Sequence, residues 1–534
     1  MAQALRQVSL TDKFSLENGV AYMSGLQALA RIPLAQRKRD IAAGLNTAGY
    51  ISGYRGSPLG GYDRELYRAR KELEALNIKF HAGVNEDLAA TAVWGTQQVQ
   101  FHPNPTVDGV FGIWYGKAPG VDRSGDVLRH ANAAGTAPKG GVLAIFGDDH
   151  GCKSSTLPCQ SDHVLYAYMI PQLYPASLQE FVEYGLLGIA MSRYSGCWTA
   201  LKVTSETVET SGTVDLAHEN RSIVMPDESD FIMPAGGLSI RLNDQPRDID
   251  WRLQNFKLFA CHAFARKNKI DQVIWDSPKP RFGIITAGKS YGDVRQALTE
   301  LGITEDVAKG IGLRLYKVGM TWPLEPQGVQ EFVDGLEEIL IVEEKRELIE
   351  YQLKQQIFNW DEKRRPVVVG KYDEHRNRLL PLHNDQPVGV VARVIAQRLA
   401  KFYSSEKIDA ALKFYEQYEQ QEKAYTPPSL RKPYYCSGCP HNTSTKVPDG
   451  SFAMVGIGCH YMVQWMGRNS ALCTQMGGEG VPWLGTAPFT QTKHIFANLG
   501  DGTYFHSGSL AIRAAVAAKV NITYKILYND AVAM

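Results

Sequence analysis

Residues 494–534 read HIFANLGDGTYFHSGSLAIRAAVAAKVNITYKILYNDAVAM, and this stretch decides how the chain is interpreted. The apolar residues Ile495, Phe496, Ala497 and Leu499 predict a short buried strand. It breaks at Gly500-Asp501-Gly502, where two glycines permit a tight turn and close backbone approach. Good helix formers follow from His506 to about Val520, and a β-rich run, 522–528, ends at Asn529-Asp530. This is a βαβ unit with a carboxylate at one strand's C-terminal end and an amide at the next, the edge where open parallel sheets bind ligands. Asp501, the Asn529 side chain and a carbonyl just beyond it, assigned to Ala531, are the oxygen donors that Mg²⁺ takes. The helix N-terminus after Gly502 points amides at an anion such as a diphosphate. An ordinary βα turn capped by its own Asp is the plainer alternative.

Outward from that stretch, 534 residues leave room for roughly three to four domains. With 44% hydrophobic and 21% charged residues and a net charge of +1, nothing favours nucleic acid or an anionic membrane surface. No apolar run reaches about 18 residues and the first thirty lack a signal-peptide core, so a cytoplasmic chain without a membrane partner is expected. Of eight cysteines only those at 436, 439, 459 and 473 cluster, which favours metal or cluster ligation over disulfides. The chain stops at Met534, a few residues past the polar turn, which predicts the N-terminal part of a longer protein.

Residues 1–20 read as a polar arm, and an α/β domain is expected over 21–230. Its strand signals are 47–54, 79–86, 110–115, 141–146 and 198–203, with helices over 62–76 and 89–100. A connection with short elements of its own is expected over 231–275, a second α/β unit over 276–370, a linker or packing segment over 371–430, and a third α/β domain over 431–534. Strands alternating with helices indicate doubly wound parallel sheets.

Four groups could carry chemistry. Glu86 stands at the predicted end of the strand 79–86, between Val84 and an alanine-rich helix, which favours a buried acid over a solvated one. The CxxC pair Cys436 and Cys439, followed by His441 and then Cys459, matches three ligands of an iron–sulfur cluster, or of zinc, or thiols that only pack. Cys473 or a residue after Met534 is the candidate fourth. The loop Gly147–Ser155 holds polar substrate groups or is a self-capped turn. Lys117 and Arg129 are candidate partners for a carboxylate or phosphate.

The spacing from Gly500-Asp501-Gly502 to Tyr528-Asn529 resembles the thiamine diphosphate motif, with Tyr528 in place of its first Asn. With GYRGSP (53–58), VNED (84–87), GDDHGCKSS (147–155), CSGCPHN (436–442) and GIGCHYM (456–462), the chain resembles indolepyruvate ferredoxin oxidoreductases, among the thiamine-diphosphate-dependent 2-oxoacid:ferredoxin oxidoreductases. The resemblance implies a pyrimidine-binding domain over 21–230, a transketolase C-terminal-like domain over 276–370 and a diphosphate-binding domain from 431. It implies that Glu86 contacts the aminopyrimidine, that Ser57 and Gly56 lie by the substrate and cofactor, and that His441, Cys459, Gly500, Asp501, Gly502 and Asn529 contact the cofactor. Mg²⁺ would take Asp501, Asn529 and the Ala531 carbonyl; Cys436, Cys439 and Cys459 stay, from their spacing, the candidate ligands of a [4Fe–4S] cluster. The expected activity is oxidative decarboxylation of an aryl 2-oxo acid to the acyl-CoA, with coenzyme A and ferredoxin as partners and a homodimer as the assembly. A non-oxidative thiamine-diphosphate decarboxylase and a non-catalytic subunit of the same fold are the alternatives.

Overall fold

The apolar runs become strands that bury alternate residues on two faces. A computed structural model describes residues 8–429 and 431–528. The chain divides into two units, Met1–Gln421 and Glu422–Met534.

The first unit contains β1 (Val20–Ser24), β2 (Thr47–Gly53), β3 (Ile78–Ala82), β4 (Gly109–Lys117), β5 (Val142–Asp148), β6 (Gln172–Leu173) and β7 (Thr199–Thr204). It continues with β8 (Ser211–Asp215), β9 (Gln272–Trp275), β10 (Phe282–Ala287), β11 (Leu313–Val318), β12 (Met320–Trp322), β13 (Glu338–Val342) and β14 (Val367–Val369). A seven-stranded sheet runs β12-β6-β7-β5-β4-β2-β3, parallel except at the β12–β6 edge. A five-stranded sheet runs β14-β13-β10-β11-β9, parallel except at β9, and β1 and β8 form an antiparallel ribbon.

Strand alternation sorts the cores. Ile113 and Tyr115 of β4 join one core and Trp114 the other; Leu143 and Ile145 of β5 join the first, Ala144 and Phe146 the second. Ile284, Leu315 and Leu340 lie on one face of the five-stranded sheet, with Ile285, Tyr316 and Ile341 on the other. Each large side chain so buried contributes about 1.5–3 kcal/mol. Helices cover both faces, and their ends follow local chemistry. Ser24 and Gln27 close a capping box at the head of helix Gly25–Ala42, with Ser24 N donating to Gln27 Oε1 at 3.0 Å. Helix Leu178–Ser195 stops at Gly196, whose φ of +73° and whose 2.1 Å approach to the Leu238 carbonyl oxygen, measured from a built Cβ, admit only glycine.

Several elements differ from the sequence reading. The helix expected over 62–76 is two helices, Tyr62–Arg68 and Arg70–Ala75. The helix expected from Ala89 begins at Glu86, because Asn85 caps it, its Oδ1 accepting from Leu88 N at 3.0 Å. Glu86 therefore opens a helix, and β3 ends four residues before it. The arm carries a helical turn, Asp12–Ser15, that buries Phe14, and the buried Arg31 ties it down by donating to the Lys13 and Leu16 carbonyls while pairing with Glu219. Within 231–275, helix Leu258–Lys267 places Cys261 and Phe264 in the first core; within 371–430, helix Val388–Leu399 packs Val391 and Ile395 on the five-stranded sheet.

Asp271 gives a stability test. Its carboxylate is enclosed beneath the β11–β12 turn, where Oδ1 accepts from Gly319 N at 2.7 Å and Met320 N at 2.9 Å, while Oδ2 has no partner among the described residues. Burial, opposed by those amides, pushes its pKa up from 3.8 to about 7. The folded chain thus holds this proton where the unfolded chain has lost it; the stability linked to it is full below pH ~4 and is lost as pH rises towards ~7. Asp271→Asn keeps the accepting oxygen and removes the charge. Its stability relative to wild type is expected to improve between pH 4 and pH 8 by roughly 2–4 kcal/mol, read from melting curves at both values. A difference independent of pH would contradict the buried-charge account.

The second unit holds one parallel sheet, β16-β15-β17-β18, from β15 (Ala453–Met454), β16 (Ser470–Ala471), β17 (Ile495–Gly500) and β18 (Ile522–Leu527). The helix after β17 starts at Asp501, continues through one wide turn, Tyr504–Gly508, and runs on as Ser509–Ala518. The tight turn expected at Gly500-Asp501-Gly502 is thus a direct strand-to-helix passage, with Gly500 at φ −67° and Gly502 inside the first turn. No described helix is long and apolar enough to cross a membrane.

Candidate active site

In the seven-stranded sheet the chain leaves β2 outward to β3, then returns to β4 on the other side, so β2 and β4 flank a switch point with a crevice at their C-terminal ends. Gly56, Ser57, Glu86 and Lys117 gather at that edge. The loop after β2 carries Gly56 and Ser57, and β4 ends at Lys117, whose Cδ would lie 2.6 Å from a Cβ at Gly56. Glu86 is buried, only 6% exposed, and lies against helix Ala118–Arg123, where a Cβ at Gly120 would stand 2.9 Å from its Oε1. The Trp114 indole N–H donates to the Glu86 carbonyl oxygen at 2.9 Å. Burial, followed by the Glu86 charge, pushes the Tyr54 phenol up to about 12.

The loop after β5 completes this edge. Ser154 Oγ donates to Ser57 Oγ at 2.5 Å. Asp149 holds the loop by accepting from Lys153 N and Ser154 N, each at 2.9 Å. Burial pushes the Asp149 carboxyl up, but these amides keep it below the usual range. Beneath the loop, Asp148, His150 and Asp162 lie close enough to share a cation. That place already has one: Lys202 Nζ is 2.5 Å from Asp162 Oδ2 and 3.5 Å from Asp148 Oδ2. His150 Nδ1 is 2.8 Å from Glu344 Oε2, and Lys289 Nζ is 3.3 Å from Glu344 Oε1. Burial and Lys202 oppose protonation of His150, but Asp148 and Glu344 raise its pKa. The group is an internal ion cluster of alternating charges, in which His150 Nε2 approaches Asp148 Oδ2 only to 3.8 Å. Arg129, away from this edge, stacks on Tyr168 at 5.2 Å.

The second unit has its own switch point. The chain leaves β15 to β16, then returns to β17 on the other side, and the segments after β15 and β17 converge. Asp501, 9% exposed, opens the helix after β17, with Gly502 N donating to its Oδ1 at 2.9 Å. His460, from the segment after β15, packs on Gly500, where a Cβ would lie 3.0 Å from its Cε1. Gly456 is more crowded: a Cβ there would lie 2.4 Å from the Asn498 carbonyl oxygen and 2.6 Å from His460 Nε2. Gly500 and Gly456 are thus needed for close approach. The His441 and His460 rings meet edge-on at 5.7 Å. Burial lowers both pKa values, that of His460 to about 3, so both are neutral at physiological pH.

Polar atoms stand ready here. His460 Nε2, His441 Nδ1 and both side-chain polar atoms of the fully buried Asn498 have no hydrogen-bond partner among the described residues. Buried polar atoms left so are costly and mark places where a ligand is expected. Glu479, also fully buried, accepts from Gly477 N at 2.8 Å and Ile457 N at 3.2 Å and fixes the loop between β15 and His460. A carboxylate at a helix head beside neutral imidazoles fits a hard cation carrying a diphosphate. Asn529 and Ala531, the other expected Mg²⁺ donors, lie outside the described residues.

Cys436 is exposed, and Cys439 and Cys459 are half-buried. Burial raises the Cys459 thiol pKa, and Cys439 and Cys436 raise it further, so the three are neighbours. Among the described residues these cysteines do not form a group with all sulfurs within 4.8 Å. Cys473 packs on the same small apolar patch as Cys439, and burial together with Glu479 pushes its thiol up to about 11. Asn498 and Glu479 were absent from the sequence reading. Asn498 had a readable signal, a lone amide inside the apolar run 495–499; Glu479 had none.

Residues 271–425 match the sequence family described as the indolepyruvate ferredoxin oxidoreductase middle domain. The chain is 25% identical over 436 residues to the indolepyruvate oxidoreductase subunit IorA of Thermococcus kodakarensis, covering 76% of this chain and 62% of that protein. It is 22% identical over 505 residues to the IorA of Methanothermobacter marburgensis, covering 91% of this chain and 73% of that protein. The chain spans about three-fifths of the length of the first of these relatives. Among solved structures it is similar in fold to a 2-oxoglutarate:ferredoxin oxidoreductase from Magnetococcus marinus, with a TM-score of 0.51, 14% identity, and 72% of this chain and 66% of that chain covered.

Proposed function

We propose that this chain is an indolepyruvate oxidoreductase of the thiamine-diphosphate-type 2-oxoacid oxidoreductases, the proteins to which it is similar, and that it takes part in oxidative decarboxylation of an aryl 2-oxo acid to the acyl-CoA, with electrons passed to ferredoxin. The observation that carries the reading is the switch point of the second unit, where buried Asp501 opens a helix beside two neutral imidazoles, each with one buried nitrogen that has no hydrogen-bond partner among the described residues. Asp501 would hold Mg²⁺ with Asn529 and the Ala531 carbonyl, and the amides of the following turn would face the diphosphate. Glu86 would hold and exchange a proton at the aminopyrimidine. Its burial favours that role, since an enclosed carboxylate is not levelled by water. Thiamine diphosphate, when bound, supplies a nucleophilic carbon and an electron sink for decarboxylation. Cys436, Cys439 and Cys459 would ligate the cluster that takes up the electrons.

The test is anaerobic incubation of the complete protein with thiamine diphosphate, Mg²⁺, coenzyme A and an arylpyruvate. Reduction of ferredoxin or viologen is expected, and its absence would overturn the proposal. Iron and labile-sulfide analysis separates the oxidative reaction from a simple decarboxylase, which needs Glu86 and Asp501 but no cluster.

A further inference from the structure

The edge of the first unit holds a feature that the cofactor roles leave unused. Ser57 Oγ accepts the Ser154 hydroxyl proton at 2.5 Å, which leaves the proton of Ser57 itself free to be donated outward. Accepting one hydrogen bond strengthens the next one given. Ser154 is not placed by chance, since Asp149 grips its amide and that of Lys153. Ser154 is open to solvent and Ser57 half-buried, so a small molecule can reach the pair.

Charge gathers at the same place. The Lys117 stem crosses Gly56, the residue before Ser57. Burial and Asp149 push the Cys152 thiol up while Lys117 and Lys345 pull it down, so both ammonium groups bear on this loop. The other charges here are committed. Lys153 pairs with Glu206, Lys345 donates to the His150 carbonyl at 3.3 Å, and Asp149 is taken up by amides. Lys117, half-buried, has no ion pair among the described residues. A half-buried cation without a counter-ion, beside a hydroxyl with a proton to give, calls for a small anion.

We propose that Ser154 is a positioning residue for substrate: its hydroxyl holds that of Ser57, and the pair, with the Lys117 ammonium, receives the carboxylate of the 2-oxo acid. This rests on the reading of the chain as a 2-oxoacid oxidoreductase with Ser57 facing substrate. Ser57 donates to one carboxylate oxygen, Lys117 neutralises the charge, and Ser154 acts only through Ser57. The recess recognises the end that all 2-oxo acids share, so selection of the aryl group falls to other residues.

The experiment is calorimetric titration of the complete protein with phenylpyruvate and with its methyl ester, in the absence and presence of thiamine diphosphate and Mg²⁺. The variants are Ser57→Ala, Ser154→Ala, Ser154→Thr and Lys117→Met. Ser154→Ala is expected to weaken phenylpyruvate binding about ten-fold and Lys117→Met about ten- to a hundred-fold, the range for a hydrogen bond involving a charge. Ser154→Thr should restore it, and ester affinity should be the same in all variants. In turnover, Ser154→Ala should raise KM with little change in kcat. The inference is overturned if Ser154→Ala and Lys117→Met bind the acid like wild type while Ser57→Ala does not, or if acid and ester weaken together, which would report a collapsed loop. If wild type binds no phenylpyruvate under either condition, or Ser57→Ala changes nothing, the underlying functional reading falls instead.

Discussion

Glu86→Gln is expected to slow arylpyruvate-dependent viologen reduction by about a hundred- to ten-thousand-fold, the range for losing a positioned acid or base. The substitution preserves shape at a site with no slack. Glu86 is buried at the first position of helix Glu86–Thr96, its carbonyl bonded by the Trp114 indole and its side chain against Gly120. Glutamine fills the same volume and still accepts hydrogen bonds, but it cannot exchange a proton. Melting temperature and circular dichroism should therefore stay near wild type while kcat falls. Gly120→Ala provides an independent check, since the new Cβ would stand 2.6 Å from Glu86 Cγ and must displace the acid. A smaller fall in kcat with the carboxylate still present would locate the effect in its position. Wild-type turnover in Glu86→Gln would remove Glu86 from the chemistry.

Asp501→Ala is expected to weaken Mg²⁺-dependent binding of thiamine diphosphate by at least about a hundred-fold, the cost of removing a charged ligand from a buried hard-cation site. Wild-type protein with cofactor at a hundred times its Kd should gain about 2.7 kcal/mol of stability, and the variant should lose most of that gain. Calorimetry and thermal shift with cofactor and Mg²⁺, each alone and together, read this without any need for turnover. His460 remains neutral far below physiological pH, so its titration contributes nothing to the pH dependence of binding between pH 6 and 8. Unchanged affinity in Asp501→Ala would mean that the helix head binds something other than a metal-linked diphosphate.

The parts of this chain that were legible in sequence have short-range causes. Runs such as 141–146 and 338–342 are apolar on both faces, as buried parallel strands must be, and they appear as β5 and β13. The position of Asp501 at the end of a strand followed from local composition alone. What could not be read depends on partners far away in sequence. β12 and β6 are three and two residues long, too short for any periodicity, and they exist because they pair across about 150 residues. His460 became part of a site through Gly500, forty residues on. The start of the Glu86 helix was readable and was missed, because the N-cap signal of Asn85 was outweighed by the apolar pattern that begins at Ala89. The fold class and the place of Asp501 at a strand end needed only local rules, whereas the switch point around it, the ion cluster and the Ser57–Ser154 pair needed tertiary structure.

The buried cluster that joins Lys202, Asp148 and Asp162 to His150, Glu344 and Lys289 bears on how this chain can be dissected. Four of its six groups, Asp148, His150, Asp162 and Lys202, come from the first sheet and its connections, and two, Lys289 and Glu344, from the segment that builds the other, which also supplies β12. An expression boundary at residue 275 would leave Asp148 and His150 without Glu344 and expose β6 as a raw edge. The two sheets therefore form one unit of inheritance and of folding: in the laboratory they should be expressed together, and in evolution a recombination crossover at that point should be selected against.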